Sequence, residues 1–130
     1  MLLDTAGLLC CFDNDDTHHA DAVTFFNAAT TRLTHSYVLA EFVPLCQARR
    51  LNRAAALSFV ADLLDNPEVE VVWVPAALHR AALSFLQARL DKTYSLCDAV
   101  SFLLMQEHSI TEALTTDFHF EQAGFRRLLK

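Results

Sequence analysis

Four acidic residues stand where the strands and helices of an alternating pattern would end or begin. Asp4 closes the run Leu2-Leu3-Asp4-Thr5. Asp117 follows Ala113-Leu114-Thr115-Thr116. Asp98 lies in the first turn of a helix opening at Ser95, and Glu41 in the second turn of a helix opening at Ser36. In an open α/β sheet, ligands gather beyond the carboxyl ends of the strands. Helices that start at that edge set their first turns over it, so all four carboxylates can converge there. As bare anions they would repel one another and raise their own pKa values. A hard divalent cation relieves the conflict, because Mg²⁺ and Mn²⁺ prefer oxygen ligands and keep waters. One or two such ions lower the pKa of a bound water and stabilise charge on a phosphoryl oxygen. The chemistry that fits is phosphodiester hydrolysis, with no side chain needed as nucleophile.

Each acid also has a structural reading. Asp98 can cap its helix, Asp4 and Asp117 can terminate strands, and Glu41 can be a solvated helix residue. Glu41 is the hardest to assign this way. Val38, Leu39, Ala40, Phe42, Val43 and Leu45 surround it in the chain, and a carboxylate near a buried stripe needs a partner or a metal.

The elements that must position these residues are readable from periodicity. Strands are expected at Met1–Asp4, Arg32–His35, Val69–Val74 and Thr111–Thr115, with a fifth at Phe125–Leu129. Helices are expected at Thr5–Phe12, His18–Thr30, Ser36–Arg49, Leu51–Asp65, Ala76–Leu90 and Ser95–His108. Asp16 or Thr17 is placed to cap the second helix and Ser36 the third. Ser95 and Asp98 have capping-box spacing, with Asp in place of the usual Glu. Strands separated by helices require crossover connections and hence a mainly parallel sheet. The expected fold is a three-layer α/β/α sandwich with a short, mainly parallel central sheet of four to five strands, formed by one domain over residues 1–130.

Composition bounds the function classes. The 130 residues are 53% hydrophobic with only 2 Gly and 3 Pro, which excludes disorder and low-complexity classes. No run of about 18 apolar residues marks a membrane span. Met1-Leu2-Leu3-Asp4 lacks a basic start and is not read as a signal peptide. Cys10, Cys11, Cys46 and Cys97 form no C-x-x-C pair, so reduced thiols and a cytoplasmic location are expected. Ten Lys+Arg against 16 Asp+Glu give a net charge of -6. Polyanion binding usually shows as a basic excess. Yet the four site acids account for most of this imbalance, and bound metal would cancel them. Binding of a polyanion should then depend on Mg²⁺ or Mn²⁺ more than on a broad basic face.

Four segments together carry a family resemblance. They are Leu2-Leu3-Asp4-Thr5-Ala6; Thr34-His35-Ser36-Tyr37-Val38-Leu39-Ala40-Glu41; the stretch from Asp91 to Phe102 containing Ser95-Leu96-Cys97-Asp98-Ala99; and Leu114-Thr115-Thr116-Asp117-Phe118-His119-Phe120 followed by Ala123-Gly124-Phe125. With these the chain resembles the PIN-domain ribonucleases, most closely the VapC-type toxins of bacterial toxin–antitoxin pairs. The resemblance covers nearly the whole chain. It implies a metal-dependent endoribonuclease in which Asp4, Glu41, Asp98 and Asp117 bind Mg²⁺ or Mn²⁺ and support RNA cleavage. Thr5, Ser95 and Thr116 match polar positions around that pocket. It also implies a cognate antitoxin protein and a homodimer, and the apolar surplus of the helices between Ser36 and Asp65 suits either partner. The first strand is very short and Cys97 stands where many relatives carry Thr, but no carboxylate is missing. The alternative is a PIN-fold module that binds protein or RNA without turnover, for which the short first strand is the only support.

Other features carry less. Asp13-Asn14-Asp15-Asp16 begins like a calcium loop but lacks its Gly and its closing Glu, since His18 and Thr24 stand there. No Cys/His spacing fits zinc. Arg49, Arg50 and Arg53, and Arg126 and Arg127, read as solvated residues or as phosphate contacts. Lys92 and Arg89 flank the loop before Ser95 and are the expected RNA contacts nearest the site in sequence.

Overall fold

A computed structural model describes residues 1–130. Five short strands, β1 (Leu2–Leu3), β2 (Leu33–His35), β3 (Glu70–Val72), β4 (Glu112–Leu114) and β5 (Arg126–Arg127), form one sheet in the order β3-β2-β1-β4-β5. Every pairing is parallel. The helices are α1 (Thr5–Phe12), α2 (His19–Ala28), α3 (Ser36–Ala48), α4 (Arg53–Asp65), α5 (Ala76–Gln87), α6 (Leu96–Glu107) and α7 (His119–Gln122).

The central strands of this short sheet are buried on both faces. Leu3 and Leu114 join a cluster of 15 buried residues with Leu8 of α1, Ala22 of α2, Phe42 of α3 and Leu63 of α4. Leu2, Leu33 and Ala113 face the other way, into a cluster of 10 with Ala82 of α5, Phe102 of α6 and Phe120 of α7. The period-2 side-chain alternation of a strand thus splits the apolar residues between two cores, which makes the three layers. In register, Leu2 pairs with both Leu33 and Ala113, and Leu3 with Leu114. β1 is therefore central. The chain leaves it first toward β2 and later returns on its other side at β4. The carboxyl ends of β1 and β4 meet at this reversal, where α/β sheets open a crevice.

Local chemistry departs from expectation at three places. The third helix is capped by His35, not Ser36: the His35 ring Nδ1 accepts from the Val38 N–H at 3.4 Å. Ser36 is diverted, because its hydroxyl accepts from the Val74 N–H at 3.0 Å. The second helix begins after His18 with no side-chain cap, and Asp16 instead accepts the His18 N–H at 2.8 Å. The one-turn helix α7 has no counterpart in the sequence-based reading, since four residues are too few for a periodic signal. Ser95 and Asp98 do form the reciprocal capping box, each bond 3.0 Å. No helix is long and apolar enough to cross a membrane.

Candidate metal and active site

A cleft of about 630 Å³ opens at the carboxyl ends of β1 and β4. Asp4, Thr5, Glu41, Ser95, Asp98 and Asp117 line it, together with Thr93 and His119, and Ala40 and Pro44 form part of its wall. The fold thus brings all four expected acids to one place, each from a different segment. Asp4 follows β1, Glu41 lies on α3, Asp98 opens α6 and Asp117 follows β4. Pro44 has no N–H to donate to the Ala40 carbonyl, and both flank Glu41 on the cleft wall.

Thr115 organises the centre. Its fully buried hydroxyl donates to Asp4 Oδ2 at 2.7 Å and accepts the Asp117 N–H at 3.0 Å. One hydroxyl thus fixes the first and last acids relative to each other. Asp117 Oδ1 accepts the His119 N–H at 2.9 Å, which turns the chain into α7. Thr5 donates to Glu41 Oε2 at 3.3 Å. Asp98 is held by the Ser95 N–H through its capping box. Thr116 lies outside the cleft lining, and its carbonyl accepts from Arg127 Nη1 at 3.1 Å. The residue that does the polar work is Thr115, one position earlier, because successive residues leaving a strand face opposite sides. Arg89 and Lys92 are also outside the lining. Arg89 lies over the Phe85 ring at 3.6 Å and donates to the Phe85 carbonyl; Lys92 pairs with Asp91 at 3.6 Å.

The electrostatics are those of crowded anions. Burial pushes the Asp4 carboxyl up to about 7, helped by the charges of Asp98 and Asp117 and opposed by the Thr115 hydrogen bond. Asp98 is also raised, first by burial and then by Asp117, against the Ser95 N–H and the neighbouring His119. The Cys97 thiol is pushed up by burial and by the adjacent Glu41, Asp4 and Asp98. It is a protonated neighbour of the acids, not a nucleophile.

His119 is the site residue that acid spacing alone does not reveal. Its Nδ1 lies 3.4 Å from Asp98 Oδ2 and 3.4 Å from Asp117 Oδ1. That buried nitrogen has no hydrogen-bond partner, while Nε2 is held by Thr93 Oγ1 at 3.0 Å. One ligand atom from each of Asp98, Asp117 and His119 falls within 4.8 Å of the others. The only sequence signal was the placement of His two residues after Asp117. An orphaned nitrogen between two carboxylates, in a cleft with two further acids, is a donor set that fits a divalent cation; Mn²⁺ accepts both oxygen and imidazole.

The PIN domain family profile matches residues 1–126 of the chain. A curated relative, the 23S rRNA-specific endonuclease VapC20 of Mycobacterium tuberculosis, is 33% identical over 93 residues, covering 72% of this chain and 70% of the relative. It occurs with the same match in strains CDC 1551 / Oshkosh and ATCC 25618 / H37Rv. Among solved structures, the crystal structure of Mycobacterium tuberculosis VapC20, described as a Sarcin-Ricin loop cleaving toxin, superposes with a TM-score of 0.88. That match has 28% identity and covers 99% of this chain and 98% of the other.

Proposed function

Because the chain belongs to the PIN-domain family and to its VapC-type members, we propose that it is a metal-dependent endoribonuclease acting as the toxin of a toxin–antitoxin pair. The observation that carries the reading is the convergence of Asp4, Glu41, Asp98 and Asp117 on one cleft, with the unpartnered His119 Nδ1 between Asp98 and Asp117. The relatives' specificity makes the Sarcin-Ricin loop of 23S rRNA the substrate to test first.

Asp4, Glu41, Asp98, Asp117 and His119 would hold one or two Mg²⁺ or Mn²⁺ ions. Bound there, such an ion supplies a water of lowered pKa and Lewis-acid stabilisation of a phosphoryl oxygen. The chain's own part is positioning. Thr115 holds Asp4 and Asp117 at a fixed separation, and Ser95 holds Asp98 against rotation. Thr5 orients Glu41, and Thr93 fixes the His119 ring so that Nδ1 points at the carboxylates. Fixed donors lower the reorganisation needed when charge develops on the phosphate. The one thiol beside the acids, Cys97, is held protonated by burial, which favours attack by water over attack by that sulfur. Lys92 and Arg89 are proposed as phosphate contacts at the rim. An antitoxin and a second copy of the chain belong to the same proposal. A half-buried apolar groove lined by Cys11, Val23, Phe26, Phe59 and Leu63 offers a surface for a protein partner.

The test is cleavage of 23S rRNA fragments containing the Sarcin-Ricin loop, with Mn²⁺ or Mg²⁺, by the wild type and by Asp98→Asn and Asp117→Asn. The expected result is a loss of at least about 100-fold in each variant and complete loss with chelator. Cleavage that survives chelator or both substitutions would sink the assignment. Light scattering and co-expression with the adjacent reading frame test the two protein partners.

A further inference from the structure

A second group of metal-ligating side chains converges on the opposite end of α1, away from the cleft. Cys10 on the last turn of α1, Asp16 in the following turn and His18 at the start of α2 bring a thiol sulfur, a carboxylate oxygen and a ring nitrogen within 4.8 Å of one another. Sequence spacing hides this group, because Cys-x₅-Asp-x-His matches no zinc pattern. The fold assembles it by turning the chain through Asp13–Thr17.

One ligand pair has the separation a tetrahedral ion requires, and the Cys10 sulfur lies within 4.8 Å of both. Bonds of 2.0–2.3 Å place tetrahedral ligand atoms about 3.3–3.8 Å apart, and His18 Nδ1 lies 3.5 Å from Asp16 Oδ1. The ligands are also held in place. Asp16 is fixed by the His18 N–H at 2.8 Å and by its own N–H donating to the Asp13 carbonyl at 3.1 Å. His19 Nδ1 bonds the Cys10 carbonyl at 2.8 Å and ties the two helices together at this point. Burial is graded: Cys10 is 3% exposed, whereas the side chains of Asp16 and His18 are 18% and 32% exposed. A thiolate here would be shielded on the core side, with an open position toward solvent for entry and for a water ligand.

We propose that Cys10, Asp16 and His18 form a Zn²⁺ site that ties the end of α1 to the start of α2, with water in the fourth position. The donor set separates this site from the cleft. A thiolate and an imidazole favour Zn²⁺ over hard cations, while carboxylates suit Mg²⁺ and Mn²⁺. In the metal-free chain, burial and the nearby Asp16 hold the Cys10 thiol up to about 12. Binding therefore releases the thiol proton, as metal–thiolate formation must.

Co²⁺ is the probe, since a cobalt–thiolate bond gives a near-ultraviolet charge-transfer band that a carboxylate site cannot produce. Chelator-treated protein titrated with CoCl₂ to saturation is expected to develop that band and to lose it on addition of ZnCl₂. The Asp98→Asn/Asp117→Asn double variant should keep the band, and Cys10→Ser should lose it. Should Cys10→Ser fail to fold, His18→Ala, on the exposed side, should weaken Co²⁺ affinity at least 10-fold with unchanged far-ultraviolet circular dichroism. Absence of the band in folded wild type, its persistence in Cys10→Ser, or unchanged affinity in His18→Ala would each overturn the proposal.

Discussion

Replacing Gly7 by Ala tests whether the contact between α1 and β4 sets the cleft. A β-carbon at Gly7 falls 1.9 Å from the Leu114 carbonyl oxygen, 2.5 Å from its carbon and 3.0 Å from the Leu114 Cγ. The closest atoms are backbone of a central strand, so no side-chain rotation relieves the overlap. The helix must withdraw by about 1.5 Å to restore ordinary contact with that oxygen. The same Leu114 oxygen accepts the Asp4 N–H at 3.3 Å, so withdrawal strains the hydrogen bond that seats Asp4 at the strand end. Helix propensity alone favours Ala by about 1 kcal/mol. Overpacking against an immobile neighbour costs about 1–3 kcal/mol or more, and the weakened backbone bond adds about 1 kcal/mol.

The expected balance is a loss of about 1–3 kcal/mol, which lowers the thermal midpoint by about 4–12 °C for a chain of this size. A displacement of Asp4 approaching 1 Å should reduce RNA cleavage by as much as about 100-fold. Urea unfolding in chelator measures the first effect, and initial cleavage rates at saturating Mn²⁺, well below the unfolding temperature, measure the second. A Gly7→Ala variant that is more stable than the wild type would show that propensity governs this position. One that is destabilised but fully active would show that the seating of Asp4 does not depend on the α1–β4 approach.

Three further outcomes are expected. Thr115→Val keeps the shape of the side chain but removes its bonds to Asp4 and Asp117. It should cost about 1–3 kcal/mol by urea denaturation and lower Mn²⁺ affinity about 10–100-fold by calorimetry, and unchanged affinity would refute the positioning role. Asp117→Asn should abolish cleavage yet raise the metal-free unfolding free energy by about 0.5–1 kcal/mol, because it relieves the repulsion that raises Asp4 and Asp98; a less stable variant in chelator would contradict this. The third concerns pH: burial depresses His35 from 6.5 to about 4, so between these values the unfolded chain binds a proton that the folded chain does not. Its contribution is therefore lost as pH falls from about 6.5 to 4, by up to about 3 kcal/mol at 1.36 kcal/mol per unit. Asp4, raised from 3.8 to about 7, acts with the opposite sign across an overlapping range, so the test is a difference. The stability of wild type minus that of His35→Asn, which keeps a capping oxygen for Val38, should fall between pH 7 and 4.5, and a pH-independent difference would refute the assignment.

The acids of the cleft were legible in the sequence for a topological reason. A residue that ends a strand or opens a helix at the carboxyl edge of a parallel sheet has little freedom to be elsewhere, and Asp4, Asp98 and Asp117 are all of that kind. The capping box of Ser95 and Asp98 was equally legible because it is local, needing only the right residues three apart. What escaped depends on competition between neighbours. Ser36 and His35 are adjacent and both can cap α3. The choice falls to His35 because the Val74 N–H, two residues past β3 and far away in sequence, claims the Ser36 hydroxyl. Thr115 and Thr116 are chemically alike, and only the pleat at the end of β4 decides that Thr115 reaches Asp4. His119 enters the site through a single turn of helix, begun when Asp117 accepts the His119 N–H, and a turn that short leaves no periodic trace. In each case the chemistry of the residue was readable and its direction was not. Direction is set by tertiary hydrogen bonds, and a shift of one position along a strand turns a side chain from the cleft to the other face.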